Sequence, residues 1–256
     1  MESNLFLSLI SDLKPMASKT FLAAVLLVSV VFYNCKKKDK TEEETTPPVT
    51  TVPLLNNTNG VIQASYFRSQ YNNNTILDSS VSIAFYESPG KTTTYVDAGT
   101  VSVNNLTLTF SPATGYQNYN TERVNLHTSL NWVVSGSPSS TVVPFTYSHL
   151  PVIPQYSGYS ALPDTCVKAS GISLNISGMS NFNMASISIG QMSQNKFKVI
   201  NGNGTITFSA QEISGFNTSD PVSVMISASN MSTIKIGNVP YTLLYAMLFS
   251  KTIVLK

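Results

Sequence analysis

The chain has 256 residues carrying 15 basic and 13 acidic side chains, a net charge of +2, and only 11% of its residues are charged. From Leu54 onward nine basic residues stand against seven acidic ones with no basic cluster, which excludes the concentrated cationic field that nucleic-acid binding requires. Solubility of that part therefore rests on Ser, Thr and Asn.

The first element is the apolar run Phe21 to Tyr33, interrupted only by Ser29, preceded by Lys19 and followed by Cys35-Lys36-Lys37-Lys38-Asp39-Lys40. At about 1.5 Å per residue a helix of this length falls short of a hydrocarbon core of about 30 Å, so the run reads as a signal-peptide core rather than a permanent span. Met16-Ala17-Ser18-Lys19 makes a compact basic leader and marks Met16 as an alternative start. A charged start, a short hydrophobic segment and a cysteine at its end together resemble the signal peptide of a bacterial lipoprotein. The resemblance implies that the Cys35 thiol receives diacylglycerol and that cleavage leaves Cys35 as the new N-terminus. Two or three acyl chains then suffice for stable membrane anchoring. The general pattern places an aliphatic residue three positions before the cysteine and a small one just before it. Here Phe32, Tyr33 and Asn34 occupy those positions, a looser arrangement similar to that of Bacteroidota lipoproteins. Ordinary secretion and a retained anchor are the alternatives to lipidation.

Residues 1–34 are thus expected to be the signal peptide and 35–53 a tether. The tether begins with lysines, passes through Glu42-Glu43-Glu44 and turns to Thr and Pro, a composition that cannot bury enough apolar surface to fold. With Cys35 carrying lipid, Cys166 has no disulfide partner and no cysteine-based metal site is available. Cys166 reads as a small, partly buried hydrophobe near a domain junction.

From Val61 to the C-terminus the pattern is period-two alternation with almost no helical periodicity. Val81-Ile83-Phe85 is a clear strand, and Val101-Val103 followed across Asn104-Asn105 by Leu106-Leu108-Phe110 is a hairpin signature, because asparagine tolerates the positive φ of a tight turn. Leu130-Trp132-Val134 and Phe145-Tyr147 continue the series. In the second half come Ile172-Leu174-Ile176, Ile187-Ile189, Phe197-Val199, Ile206-Phe208, Val222-Val224-Ile226 and Ile234-Ile236. Gly237-Asn238 is a two-residue turn into final strands at Tyr241 to Phe249 and Thr252 to Leu255. Ser209-Ala210-Gln211-Glu212 fits a capping box and predicts a single helical turn.

Many short strands separated by Gly, Pro, Asn and Ser predict an all-β fold of antiparallel β-sandwiches rather than a parallel sheet. The stretch Pro151 to Pro163 reads as a joint, dividing the globular part into units at 54–160 and 161–256, with Trp132 the largest contributor to the first core. Leader, tether and paired β-rich units are similar to the surface lipoproteins of Bacteroidota, many of which have immunoglobulin-like domains. Tyr95-Val96-Asp97-Ala98-Gly99-Thr100-Val101-Ser102-Val103-Asn104 and Asn131-Trp132-Val133-Val134-Ser135-Gly136 carry that resemblance. It implies two immunoglobulin-like sandwiches at the cell envelope, lipid-anchored at the outer membrane or cell surface.

Catalytic chemistry finds no motif. His127, assigned to a strand, and His149, at a strand end, are the two histidines, and neither a Gly-x-Ser-x-Gly elbow nor a His-Glu-x-x-His pattern occurs. Asp97 and Glu122 are the one acid pair in a common half amid loops, and chance accounts for it. No calcium loop, metal site or cofactor site is expected. The binding signal is aromatic: Tyr116 and Tyr119 in Gly115 to Asn120, and Tyr156 and Tyr159 in Pro154 to Tyr159, combine tyrosines with amides in apparent loops. Such rings stack on sugars while the amides bond hydroxyls, although they serve equally to pack over the ends of a sandwich. The expected role is a non-enzymatic binding or structural module whose partners are the membrane, through the lipid, and an envelope protein or glycan. A glycan-binding accessory of polysaccharide uptake and a secreted hydrolase are the alternatives.

Overall fold

The computed structural model describes residues 58–256 apart from 72–73, 90–93, 119–123 and 192–193, with the backbone alone at 71 and 74–77. Cys35, the leader and the tether lie outside the described residues. Alternation becomes strand because successive side chains point to opposite faces, so one face of each segment can enter a core.

In the first half, β1 (Gly60–Tyr71) and β2 (Asn74–Phe85) form a long antiparallel pair. β3 (Val101–Val103) and β4 (Leu106–Thr107) are joined by Asn104-Asn105, whose φ values of 46° and 67° are the left-handed ones a two-residue hairpin requires. The expected continuation of β4 through Phe110 does not occur: β5 (Thr109–Ser111) crosses to another sheet and pairs with β6 (Gly115–Gln117). β7 (Leu130–Val134) and β8 (Phe145–His149) complete this half. His127 is not in a strand. It lies in a turn where its backbone N–H donates to Asn125 Oδ1 at 3.0 Å, an Asx turn whose side-chain bond competes with extended pairing.

The second half holds β9 (Gln155–Tyr156), β10 (Thr165–Cys166), β11 (Ile172–Ile176), β12 (Met179–Ser180), β13 (Met184–Gln191), β14 (Gln194–Ile200), β15 (Gly204–Phe208), β16 (Pro221–Ile236) and β17 (Val239–Leu255). The two final segments expected on either side of residue 250 are one strand, and so are the two expected within β16. Their pairing is unbroken from Pro221 opposite Val254 to Ile236 opposite Val239, closed by Gly237-Asn238 with Gly237 at φ 61°. The capping box forms: Ser209 N–H donates to Glu212 Oε2 at 2.7 Å and Glu212 N–H to Ser209 Oγ at 3.2 Å, over a single turn. These bonds hold the Glu212 carboxyl below its usual range.

A nine-stranded sheet runs in the order β14-β13-β16-β17-β1-β2-β6-β5, with β10 paired to the end of β17. Over its first-half strands lies the four-stranded sheet β4-β3-β7-β8, and the buried set Ile62, Ile83, Phe85 and Leu243 meets Val101, Val103, Leu130 and Trp132. Over its second-half strands lie the pairs β11-β15 and β9-β12, where Ile187, Val224, Ile226 and Phe249 meet Ile172, Leu174, Ile176 and Phe208. The fold is all-β and of sandwich type. The two cores do not part at 160/161: Tyr156 of β9 and Tyr159 already pack with the second core, and the β16–β17 hairpin serves both. Tyr241, Leu243 and Tyr245 of β17 enter the first core, whereas Met247, Phe249, Ile253 and Leu255, on the same face, enter the second.

Two pairings depart from the antiparallel expectation. β1 runs parallel to β17, from Val61 opposite Thr242 to Gln70 opposite Lys251, and β10 is parallel to it too. Parallel neighbours need a long connection, and here the whole intervening chain supplies it. β17 is buried on its other face as well, at Thr242, Leu244, Ala246 and Leu248, which explains why Tyr241 to Phe249 reads as a nearly continuous apolar run instead of an alternation.

Candidate functional site at the junction of the two cores

The tyrosine loops do not form the surface that the sequence pattern predicts. Gly115 to Gln117 is strand β6, and its alternation turns Tyr116 inward, 1% exposed, edge-on to Phe85 and against Phe110. The Tyr116 hydroxyl lies 2.5 Å from Asp97 Oδ1 and 2.7 Å from Gly99 O, which compete for its proton, and accepts the Ala98 N–H at 2.8 Å. Burial, then the bond to Asp97, pushes this phenol well above its usual range. Asp97 is thereby a structural acceptor, which also takes the Gly99 N–H at 2.8 Å; Glu122 lies outside the described residues. Tyr116→Phe leaves the buried Ala98 N–H without its acceptor, and a loss of about 1–3 kcal/mol is expected from urea denaturation followed by circular dichroism. Tyr119 lies outside the described residues. Tyr156 is in strand β9, paired with Met179 of β12, and is 9% exposed. Tyr159, in a short 3-10 turn (Gly158–Ala161), is the one of the three described candidate tyrosines that remains partly exposed.

The structure brings a different set together. On β1 the inward-facing positions Ile62 and Ala64 belong to the first core, and the same face continues as Tyr66, Arg68 and Gln70. Register sets these beside Met247, Phe249 and Lys251 of β17, where the strand passes from one core to the other. Tyr66 OH lies 3.3 Å from His127 Nε2, with ring centroids 5.8 Å apart. The Arg68 guanidinium lies over the Tyr159 ring, 3.3 Å from its centroid. Tyr159 and Tyr156 both pack on Phe249, at centroid distances of 5.9 and 5.5 Å. Three polar atoms of this group, Arg68 Nε, Gln70 Oε1 and Tyr156 OH, are buried with no hydrogen-bond partner. Burial without a partner pushes the Tyr156 phenol up to about 12.

Lys251, 5% exposed, clamps the neighbouring chain: its Nζ donates to Leu162 O at 2.6 Å and pairs with Asp164 Oδ1 at 2.8 Å. Asn230 Nδ2 of β16 donates to Val152 O at 3.2 Å, so the Pro-rich joint is fastened to the shared hairpin at both ends. His149 stacks between Tyr147 and Tyr245, at 6.0 and 5.5 Å, and burial lowers its basicity. Cys166, partly buried against the second core, has its thiol pushed up by burial. Among the described residues no group of three or more His, Cys, Asp or Glu is placed to hold a metal.

The junction can donate, accept and stack, and its charge is positive. A signal for it exists in the sequence: the face that reads Ile62, Ala64 in core phase goes on in the same phase as Tyr66, Arg68, Gln70, so a cation occupies a core-facing position. What defines the protein is therefore an all-β sandwich architecture in which two cores share one sheet and meet at a polar aromatic strip. Comparison with known proteins finds no matching family model, no matching curated protein and no matching solved structure.

Proposed function

We propose that this chain is a non-enzymatic cell-envelope lipoprotein of the Bacteroidota surface type, anchored through Cys35, whose β-sandwich body is a binding or structural module held off the membrane by the 35–53 tether. The observation that carries this reading is the order of the parts: basic leader, apolar run, cysteine and Thr/Pro tether, followed by a body that forms one compact unit from Val52 to Lys256. The two cores of that body are tied by a long shared hairpin, which suits a module that must keep its shape away from the membrane. In cells fed labelled palmitate the wild type is expected to take up label and sediment with membranes, and Cys35→Ala to lose both. Equal labelling of the two proteins would remove the anchor from the account.

Glycan binding is the second reading, and the junction strip favours it. Tyr66, Arg68, Gln70 and Tyr159 combine ring faces with hydrogen-bonding groups, the pairing of surfaces that sugars require. This moves the glycan site away from Tyr116, whose ring is enclosed.

A further inference from the structure

Resting on that glycan reading, we propose that Arg68, Gln70, Tyr156 and Tyr159 form a binding site for an acidic glycan, a polysaccharide whose sugar rings carry carboxylates. Arg68 and Gln70 come from β1 and Tyr156 and Tyr159 from within the Pro151 to Pro163 joint; Arg68, Tyr156 and Tyr159 gather at Phe249, and Gln70 follows Arg68 on the same face of β1, beside Lys251. Arg68 is the cation of the set. The ion pairs among the described residues are Lys198 with Glu212 and Lys251 with Asp164, so neither uses it. Its Nε is buried without a partner, which is a costly state for a group that can only donate. Stacking on Tyr159 fixes the guanidinium plane, and a fixed planar fork matches the two oxygens of a carboxylate.

The other two orphans define the rest of the ligand. Gln70 Oε1 can only accept, so it calls for a hydroxyl or N–H, and Tyr156 OH, nine-tenths buried, can serve either way. A ligand with an anionic oxygen beside hydroxyl donors satisfies all three, and a uronic-acid ring has that arrangement. An acidic peptide fits less well. β1 lies between β17 and β2, so the strand that carries Arg68 and Gln70 offers no free edge for an extended peptide to pair with, and recognition by these two residues must pass through side chains. The short turn Gly158–Ala161 that carries Tyr159 has no buried residue.

The test uses the full-length lipoprotein in detergent, run through native gels containing polygalacturonate, neutral dextran or poly-glutamate. Polygalacturonate is expected to retard the wild type, less so as salt rises, and Arg68→Gln to weaken that binding by roughly tenfold or more. Arg68→Lys keeps the charge without the fork and is expected to fall between the two, and thermal melts show whether each variant is folded. Binding of polygalacturonate unaffected by a folded Arg68→Gln overturns the site. Retardation by dextran alone overturns the acidic specificity while leaving glycan binding in place. Retardation by poly-glutamate in preference to polygalacturonate transfers the site to acidic peptides and overturns the glycan assignment. No retardation by any of them overturns both this site and the glycan reading.

Discussion

Replacing Ala246 by proline is expected to unfold both cores in one step. Ala246 is fully buried in the middle of β17, opposite Ser65 of β1 and Ser229 of β16, so its strand has a hydrogen-bonded neighbour on each side. Proline has no N–H to give to either neighbour, and its ring collides with the preceding backbone; the penalty in a sheet interior is about 3 kcal/mol or more. Domain stabilities of about 5–15 kcal/mol leave little reserve against that. The position also lies between Tyr245, which enters the first core, and Met247, which enters the second. In the wild type, Trp132 fluorescence reports the first core and far-ultraviolet dichroism reports all strands, and the two denaturation curves should coincide. Ala246→Pro should shift both equally or abolish folding, whereas Ala246→Gly, which keeps the N–H, should lose only about 0.5–1 kcal/mol. Two separate transitions in the wild type would show that the shared hairpin does not couple the cores.

Trp132→Ala should cost about 3–5 kcal/mol. The indole is 1% exposed, on the inward face of β7 between Val103 of β3 and Tyr147 of β8, and is the largest fully buried side chain among the described residues. The strand carries Leu130 and Val134 in the same phase, both buried, so neighbouring side chains are already engaged and cannot move to fill the space. Because the substitution removes the one tryptophan, the measurement is urea denaturation followed by dichroism. A loss under about 1 kcal/mol would mean that the four-stranded sheet closes over the cavity, and that the first core is held by the β17 tyrosines instead.

The difference between the tyrosines expected to bind and the residues that do converge has a physical origin. Gly115 to Asn120 and Pro154 to Tyr159 have loop composition, but Tyr116 and Tyr156 fall on short strands whose pairing partners, β2 with β5 and β12, are set by sheet order. A hydroxyl directed at Asp97 and the 97–99 backbone makes Tyr116 a core residue, and nothing in the hexapeptide itself announces that. Leu126 and Thr128 on either side of His127 read as strand alternation, while the Asx turn from Asn125 decides otherwise.

What the amino-acid order determined by itself is what local stereochemistry controls: the phase of most strands, the left-handed turn at Asn104-Asn105, the Gly237-Asn238 hairpin and the reciprocal cap at Ser209 and Glu212. These depend on a few consecutive residues and their φ, hydrogen-bonding groups and polarity. Only the tertiary structure decided the parallel union of β1 with β17, the merging of two cores on one hairpin, and the meeting of Arg68 with Tyr159 from a segment some ninety residues away. Strand pairing between distant segments depends on which faces are left to bury once every other strand has been placed, and that is a property of the whole sheet rather than of any stretch within it.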